Sequence, residues 1–109
     1  MLRITTSGDA TKVLAVAGEV DLSTAEQLTG EITGALDAPG VELVKVDLGE
    51  VSFMDSAGLR VLVAGMKQAA SRNIRLVAEN PQPQVGKVLR ITGLDEVLGL
   101  STGDSAARD

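Results

Sequence analysis

Val44 to Leu62 reads VKVDLGEVSFMDSAGLRVL, and this stretch decides the fold. Val44, Val46 and Leu48 belong to a buried strand reading Leu43 to Leu48, closed by a Gly49-Glu50 turn; Asp55-Ser56-Ala57-Gly58 then opens an amphipathic helix. A strand running directly into a helix is half of a β-α-β unit. It also sets a serine hydroxyl at a helix start, where backbone N–H groups and the positive end of the macrodipole favour an anion. Ser56 is therefore the first candidate for a functional centre.

Upstream, Leu2 and Ile4 alternate with polar residues, Ser7-Gly8-Asp9 forms a turn, and Val13 to Ala17 is nearly all apolar, which predicts a hairpin from an edge strand into a buried one. Ser23-Thr24-Ala25-Glu26 has capping-box spacing, so Ser23 marks the start of a helix over about Thr24 to Leu36 with Ala25, Leu28, Ile32, Ala35 and Leu36 inward. The helix from Ser56 to about Ser71 carries Leu59, Leu62, Val63, Met66 and Ala70 as its inner stripe, with Arg60 and Lys67 outside. Ile74 to Ala78 is a further strand. Asn80-Pro81-Gln82-Pro83 introduces a third helix with Val85, Val88 and Leu89 inward, Gly93 ends it, and Leu94 to Leu98 forms a short helical segment. Ser101 to Asp109 is polar and small, and reads as a flexible tail.

The order β-β-α-β-α-β-α predicts an α/β domain with a single mixed sheet. The hairpin supplies an antiparallel pair and the helical crossovers supply parallel ones. A length of 109 residues allows one domain, taken as residues 1–100. Phe53 is the sole aromatic, so the core is built from Val, Leu, Ile and Ala.

Composition narrows the chemistry. Fifteen acidic against ten basic residues leave a net charge of -5 without a Lys/Arg cluster, which argues against nucleic-acid or anionic-membrane partners. There is no histidine to act as general base and no cysteine to act as nucleophile, so hydrolytic chemistry at Ser56 is not expected and no catalytic residue is assigned. Spaced glycines for a phosphate loop or dinucleotide fold are lacking. Asp47, Glu50 and Asp55 lie close in sequence, but carboxylates at strand ends and helix caps are commonplace, so no metal or cofactor is expected. Without a signal-like N-terminus or an apolar run near the roughly 20 residues that span a bilayer, the chain reads as soluble and cytoplasmic.

Local sequence leaves Ser56 open. Asp55-Ser56 reads first as a plain helix cap, worth on the order of 1 kcal/mol. Three features point beyond a cap: the large apolar Phe53-Met54 before it, the lack of bulk at Gly58, and Arg60 at i+4 on the outward face. Ser23 is accounted for by its capping box.

The residues also match a family pattern. Gly18-Glu19-Val20-Asp21-Leu22-Ser23-Thr24-Ala25, then Val46-Asp47-Leu48, then Phe53-Met54-Asp55-Ser56-Ala57-Gly58-Leu59, in this order and spacing, resemble the STAS domain of bacterial anti-sigma-factor antagonists. The resemblance covers about Leu2 to Leu100. It implies a partner switch, in which the unphosphorylated antagonist binds an anti-sigma factor that is also a serine kinase and thereby frees a sigma factor. Phosphorylation of the Asp-Ser serine blocks binding and a serine phosphatase restores it.

On this resemblance Ser56 is the phosphoacceptor and Asp21 contributes to kinase recognition, with Asp55 fixing the loop. The recognition surface comprises Asp21, Ser23, Asp55, Ser56, Ala57, Gly58 and Arg60. Ala57 departs from the pattern, since many members carry a second Ser or Thr there. A phosphate of roughly -1.5 to -2 charges at Ser56, desolvated beside Asp21 and Asp55 under a partner, would spoil an interface without unfolding the domain. A monomer that forms heterocomplexes is expected. The alternative is a constitutive STAS scaffold subunit of a stress-signalling or transport assembly. A nucleotide-binding protein is motivated only by the anion-friendly helix end.

Overall fold

The computed structural model describes residues 1–99; the expected tail from Ser101 to Asp109 and the last residue of the expected domain, Leu100, lie outside the described residues. Strands β1 (Leu2–Ser7), β2 (Thr11–Val20), β3 (Leu43–Met54) and β4 (Arg75–Glu79) form one sheet in the order β1-β2-β3-β4. The β1/β2 pair is antiparallel and the β2/β3 and β3/β4 pairs are parallel, so the sheet is mixed as the element order requires. Helices α1 (Ala25–Asp37) and α2 (Ser56–Ala70) are the two crossovers, followed by α3 (Pro83–Ile91) and the short α4 (Leu94–Val97).

The helices cover one face of the sheet. Leu14, Val16, Val44, Val46 and Leu48 point into that side and meet Leu28 and Ile32 of α1, Leu62 of α2 and Leu89 of α3, all essentially inaccessible to solvent. The opposite face, carrying Thr5, Ala15, Lys45 and Asp47, is open or half-buried. In α1 the expected stripe holds, with Leu28, Ile32, Ala35 and Leu36 buried. In α3, Val85 and Leu89 are buried together with Gly86, while Val88 is only partly covered.

Three local expectations are corrected. First, Gly49-Glu50 is not a turn, because β3 continues through it to Met54. Ala15 pairs with Asp47 but Ala17 with Glu50, and Gly18 pairs with Val51 but Glu19 with Phe53, so β3 carries an extra residue at each shift. These bulges change the burial spacing from two to three, which keeps Leu48, Val51 and Met54 inward and turns Ser52 and Phe53 outward. The bulged backbone does not go unpaired. Asp47 Oδ1 accepts the Gly49 N–H at 2.9 Å, and the Gln82 side chain, from the segment leading into α3, donates to the Gly49 carbonyl at 3.1 Å.

Second, β2 does not stop near Ala17 but runs to Val20, carried past the irregularity by Gly18, whose φ of 118° side chains rarely adopt. Third, α2 is rotated relative to its expected stripe. Its buried residues are Ala57, Gly58, Val61, Leu62, Gly65 and Ala69, whereas Leu59, Val63 and Met66 are half-buried and Ala70 is exposed. The glycines explain the difference, since α2 lies down on the face where it has least bulk. A Cβ on Gly65 would stand 3.1 Å from Ile32 Cγ2 of α1.

This rotation has a measurable consequence. Leu62→Ala removes a side chain at full burial and should cost about 2–5 kcal/mol in urea denaturation, whereas Val63→Ala should cost less than about 1 kcal/mol. Equal losses would restore the stripe expected from periodicity.

Candidate functional site

The site forms where the C-terminal ends of β2 and β3 lie side by side. Val20 pairs with Met54, and the Val20 carbonyl accepts the Asp55 N–H at 3.2 Å, so both chains leave the sheet together. This is the end of a parallel pair at which α/β folds commonly place their sites. Gly58 seals the junction: a Cβ there would come within 2.7 Å of Met54 Cγ, 2.8 Å of Val20 Cγ1 and 3.2 Å of the Val20 carbonyl oxygen. Met54 is buried under this contact and belongs to the core, so of the apolar pair before the cap only Phe53 adds to the exposed surface.

Asp55 is the N-cap of α2. Its backbone is extended, and its Oδ1 accepts the N–H groups of Ala57 at 2.9 Å and Gly58 at 3.2 Å. Ser56 is the first helical residue, exposed, and its hydroxyl makes no hydrogen bond among the described residues. The two residues thus divide the work: Asp55 caps, and Ser56 is not needed for the cap. One expectation is refined here. Two of the helix-start N–H groups are already taken by the Asp55 carboxylate, so the helix end is less open to a further anion than the bare sequence suggested.

Asp21 governs the neighbouring loop. Its Oδ1 accepts the Ser23 hydroxyl at 2.7 Å and the N–H groups of Ser23 at 3.0 Å and Thr24 at 3.2 Å. The capping box expected at Ser23 is therefore absent, because Asp21 occupies the Ser23 N–H that Glu26 would have had to engage, and Thr24 takes the N-cap position. Thr24 was not singled out from sequence, yet it is the one buried polar side chain among the described residues. It accepts the Asp21 N–H at 3.0 Å and donates to the Glu19 carbonyl at 2.9 Å, tying the loop to the end of β2.

The Ser23 hydroxyl does most to hold the Asp21 carboxyl below the ordinary aspartate range; desolvation opposes it, and the Ser23 N–H, the Thr24 hydroxyl and the Thr24 N–H add to the lowering.

Around these polar groups the surface is apolar. Leu22 is 79% exposed and Phe53 49% exposed, an unusual display for large hydrophobic side chains in a small domain. Leu22 escaped the sequence reading, although an apolar residue in a capping loop, outside any helical or strand period, was the available signal. Arg60 stands exposed on the outer face of α2, one turn beyond Ser56. Ala57 is buried, so it shapes the helix seat and offers little surface. Asp47 is engaged with its own bulge, and no cluster of three or more metal-ligating side chains occurs among the described residues.

Comparison with known proteins places this geometry. The family described as "Mlab, STAS domain" matches residues 5–100. The chain belongs to the STAS domain family. An anti-sigma-B factor antagonist of Listeria monocytogenes is 35% identical over 83 residues, covering 76% of this chain and 72% of that protein. Among solved structures, the anti-sigma factor antagonist SpoIIAA in its unphosphorylated form superposes with a TM-score of 0.77 at 26% identity, covering 98% of this STAS domain and 93% of that chain. The Bacillus SpoIIAA in its phosphorylated form gives 0.69 at 25% identity, covering 99% and 97%. The single mixed sheet with helices packed on it is thus shared with anti-sigma factor antagonists. Among the described residues of this STAS domain no helix is long and apolar enough to cross a membrane.

The lowered Asp21 carboxyl yields a pH prediction. Its folded value lies below the unfolded value of about 3.9, so the loop's stabilisation is fully present above that pH and is lost as pH falls through the lower, folded value. A carboxyl-carbon NMR titration should show Asp21 with a depressed midpoint that rises toward the ordinary range in Ser23→Ala. An unchanged midpoint in the variant would contradict the assignment of the Ser23 hydroxyl as the main cause.

Proposed function

We propose that this STAS domain is an anti-sigma-factor antagonist whose partner binding is switched by phosphorylation of Ser56. The observation that carries the reading is the division of roles at the start of α2. Asp55 performs the capping, while the Ser56 hydroxyl is exposed and uncommitted between two carboxylate-bearing loops. The relatives supply the context, being named anti-sigma-B factor antagonists, with SpoIIAA known in both unphosphorylated and phosphorylated forms.

In this reading the unmodified face docks an anti-sigma factor with serine kinase activity and releases a sigma factor. Asp21, Ser23, Asp55, Ser56, Gly58 and Arg60 form or shape the contact, Ala57 fixes the seat of the helix, and Leu22 and Phe53 provide apolar area. The kinase moves the γ-phosphoryl group of ATP to Ser56 Oγ; the bond to the β-phosphate oxygen breaks, the Oγ–P bond forms, and the hydroxyl proton leaves to a base on the kinase. A serine phosphatase reverses the modification with water. The domain is acted upon rather than acting as an enzyme, and it works in the cytoplasm as a monomer that enters heterocomplexes.

Phosphate adds roughly -1.5 to -2 charges beside the Asp55 carboxylate and the Asp21 loop. Free in water this costs the domain little. Under a partner the same charge must be desolvated, and a penalty of about 3 kcal/mol weakens binding more than a hundredfold.

Incubation of the full chain with the host's anti-sigma kinase and ATP, followed by mass mapping, should place a single phosphate on Ser56 and none on Ser56→Ala. Ser56→Asp should melt like the unmodified chain yet bind the anti-sigma factor about a hundredfold more weakly. Phosphate at another residue, or unchanged affinity in Ser56→Asp, would overturn the reading.

A further inference from the structure

Helix α2 is apolar on more than the face it buries. With Gly58, Leu62 and Gly65 turned into the core, a second apolar strip runs along the flank of the helix, where Leu59 and Val63 are half-buried and Ala64 is exposed. A helix with apolar residues around most of its circumference is ordinarily covered on most of it. Leu94, at the start of α4, flanks the strip and makes it a shallow, open groove of about 570 Å³, whose polar lining is confined to Ser56, Arg60 and Lys67.

Charge sets this strip apart from the rest of the molecule. The chain carries a net charge of -5, yet α2, SAGLRVLVAGMKQAA, contains Arg60 and Lys67 and no acidic residue. Both cations are exposed, and neither pairs with a carboxylate among the described residues. An apolar strip edged by two uncompensated cations in an acidic protein is complementary to an acidic, amphipathic surface.

We propose that the groove along the outer face of α2 docks an acidic amphipathic helix of a protein partner, with apolar side chains on Leu59, Val63 and Leu94 and carboxylates against Arg60 and Lys67. The dimensions suit a helix. Ser56 and Lys67 are separated by about 16 Å, three turns at 1.5 Å per residue, and Arg60 and Lys67 by about two turns, so facing carboxylates would recur about seven residues apart. A small apolar ligand is a poorer fit, because such ligands are held in cavities that enclose most of their surface and this groove is open along its length.

The groove begins at Ser56, which gives the proposal a regulatory content that rests on the phosphorylation reading above. A phosphate at Ser56 stands one helical turn from Arg60, where it both compensates that cation and repels an acidic occupant. Modification at the head of the groove would thus disfavour a helix lying along its whole length.

The test uses the full chain, ¹⁵N-labelled, titrated with a synthetic helical peptide of about fifteen residues bearing leucines at helical spacing flanked by glutamates. A sister peptide has lysine at every glutamate position. Amide shifts should cluster at Leu59, Val63, Ala64, Lys67 and Leu94. The lysine peptide should bind at least about tenfold more weakly, and the same loss should follow Arg60→Glu with Lys67→Glu. The neutral pair Arg60→Gln with Lys67→Gln, checked by its melting curve, should fall between. Equal binding of both peptides, shifts centred elsewhere, or no binding of either at about 1 mM would overturn the proposal. Failure here with Ser56 still phosphorylated by the kinase would remove the groove alone; peptide binding without any phosphorylation would remove the switch alone.

Discussion

The hydrogen bond from the Asp55 N–H to the Val20 carbonyl, with Gly58 packed directly against Val20, is the constraint on which the functional end of the domain depends. One such bond contributes on the order of 1 kcal/mol, so its importance lies in position more than in strength. It fixes the point at which β3 stops and α2 begins, and sets that point beside the end of β2. The absence of a side chain at Gly58 allows α2 to sit close to Val20 and Met54. The loop governed by Asp21 and the helix start bearing Ser56 are therefore held on one rigid platform.

From that platform follows the electrostatic character of the site. Asp55 and Asp21 each commit their carboxylates to nearby N–H groups, so both negative charges are needed for local structure and cannot be moved away from a partner. Ser56 has no such structural duty. A charge added to its hydroxyl meets carboxylates that cannot withdraw, yet breaks no existing hydrogen bond. On the proposed reading, such a surface changes its message without changing its fold. The outer strip of α2, with its two cations, supplies the opposite charge within the same neighbourhood.

Much of this was legible in the residues. The β-β-α-β-α-β-α order, the mixed sheet and the inner face of α1 follow from alternation and helical period, which simple binary patterning carries well. Ser56 was legible as a helix-start hydroxyl, and the structure places it exposed at the first position of α2. What escaped depended on contacts across the chain. Gly49-Glu50 looks like a turn in isolation and becomes a bulge only because β2 continues alongside it. The stripe of α2 was misplaced because its apolar residues run nearly around the helix, and the true inner face is marked by glycines, which carry no hydrophobic signal. Ser23 gave way to Asp21 because a carboxylate two residues upstream competes for the same N–H, an outcome that motif spacing alone does not decide.

The central claim is that Ser56 can be charged without disturbing the framework beneath it. Amide NMR of the full chain before and after stoichiometric phosphorylation at Ser56 tests this most directly. The account predicts shifts confined to the loop around residues 20–24 and to the β3/α2 junction over residues 53–60, with core amides and melting temperature nearly unchanged. Shifts spread through Leu14, Val46 and Leu62, or a melting temperature lowered by more than about 10 °C, would contradict it.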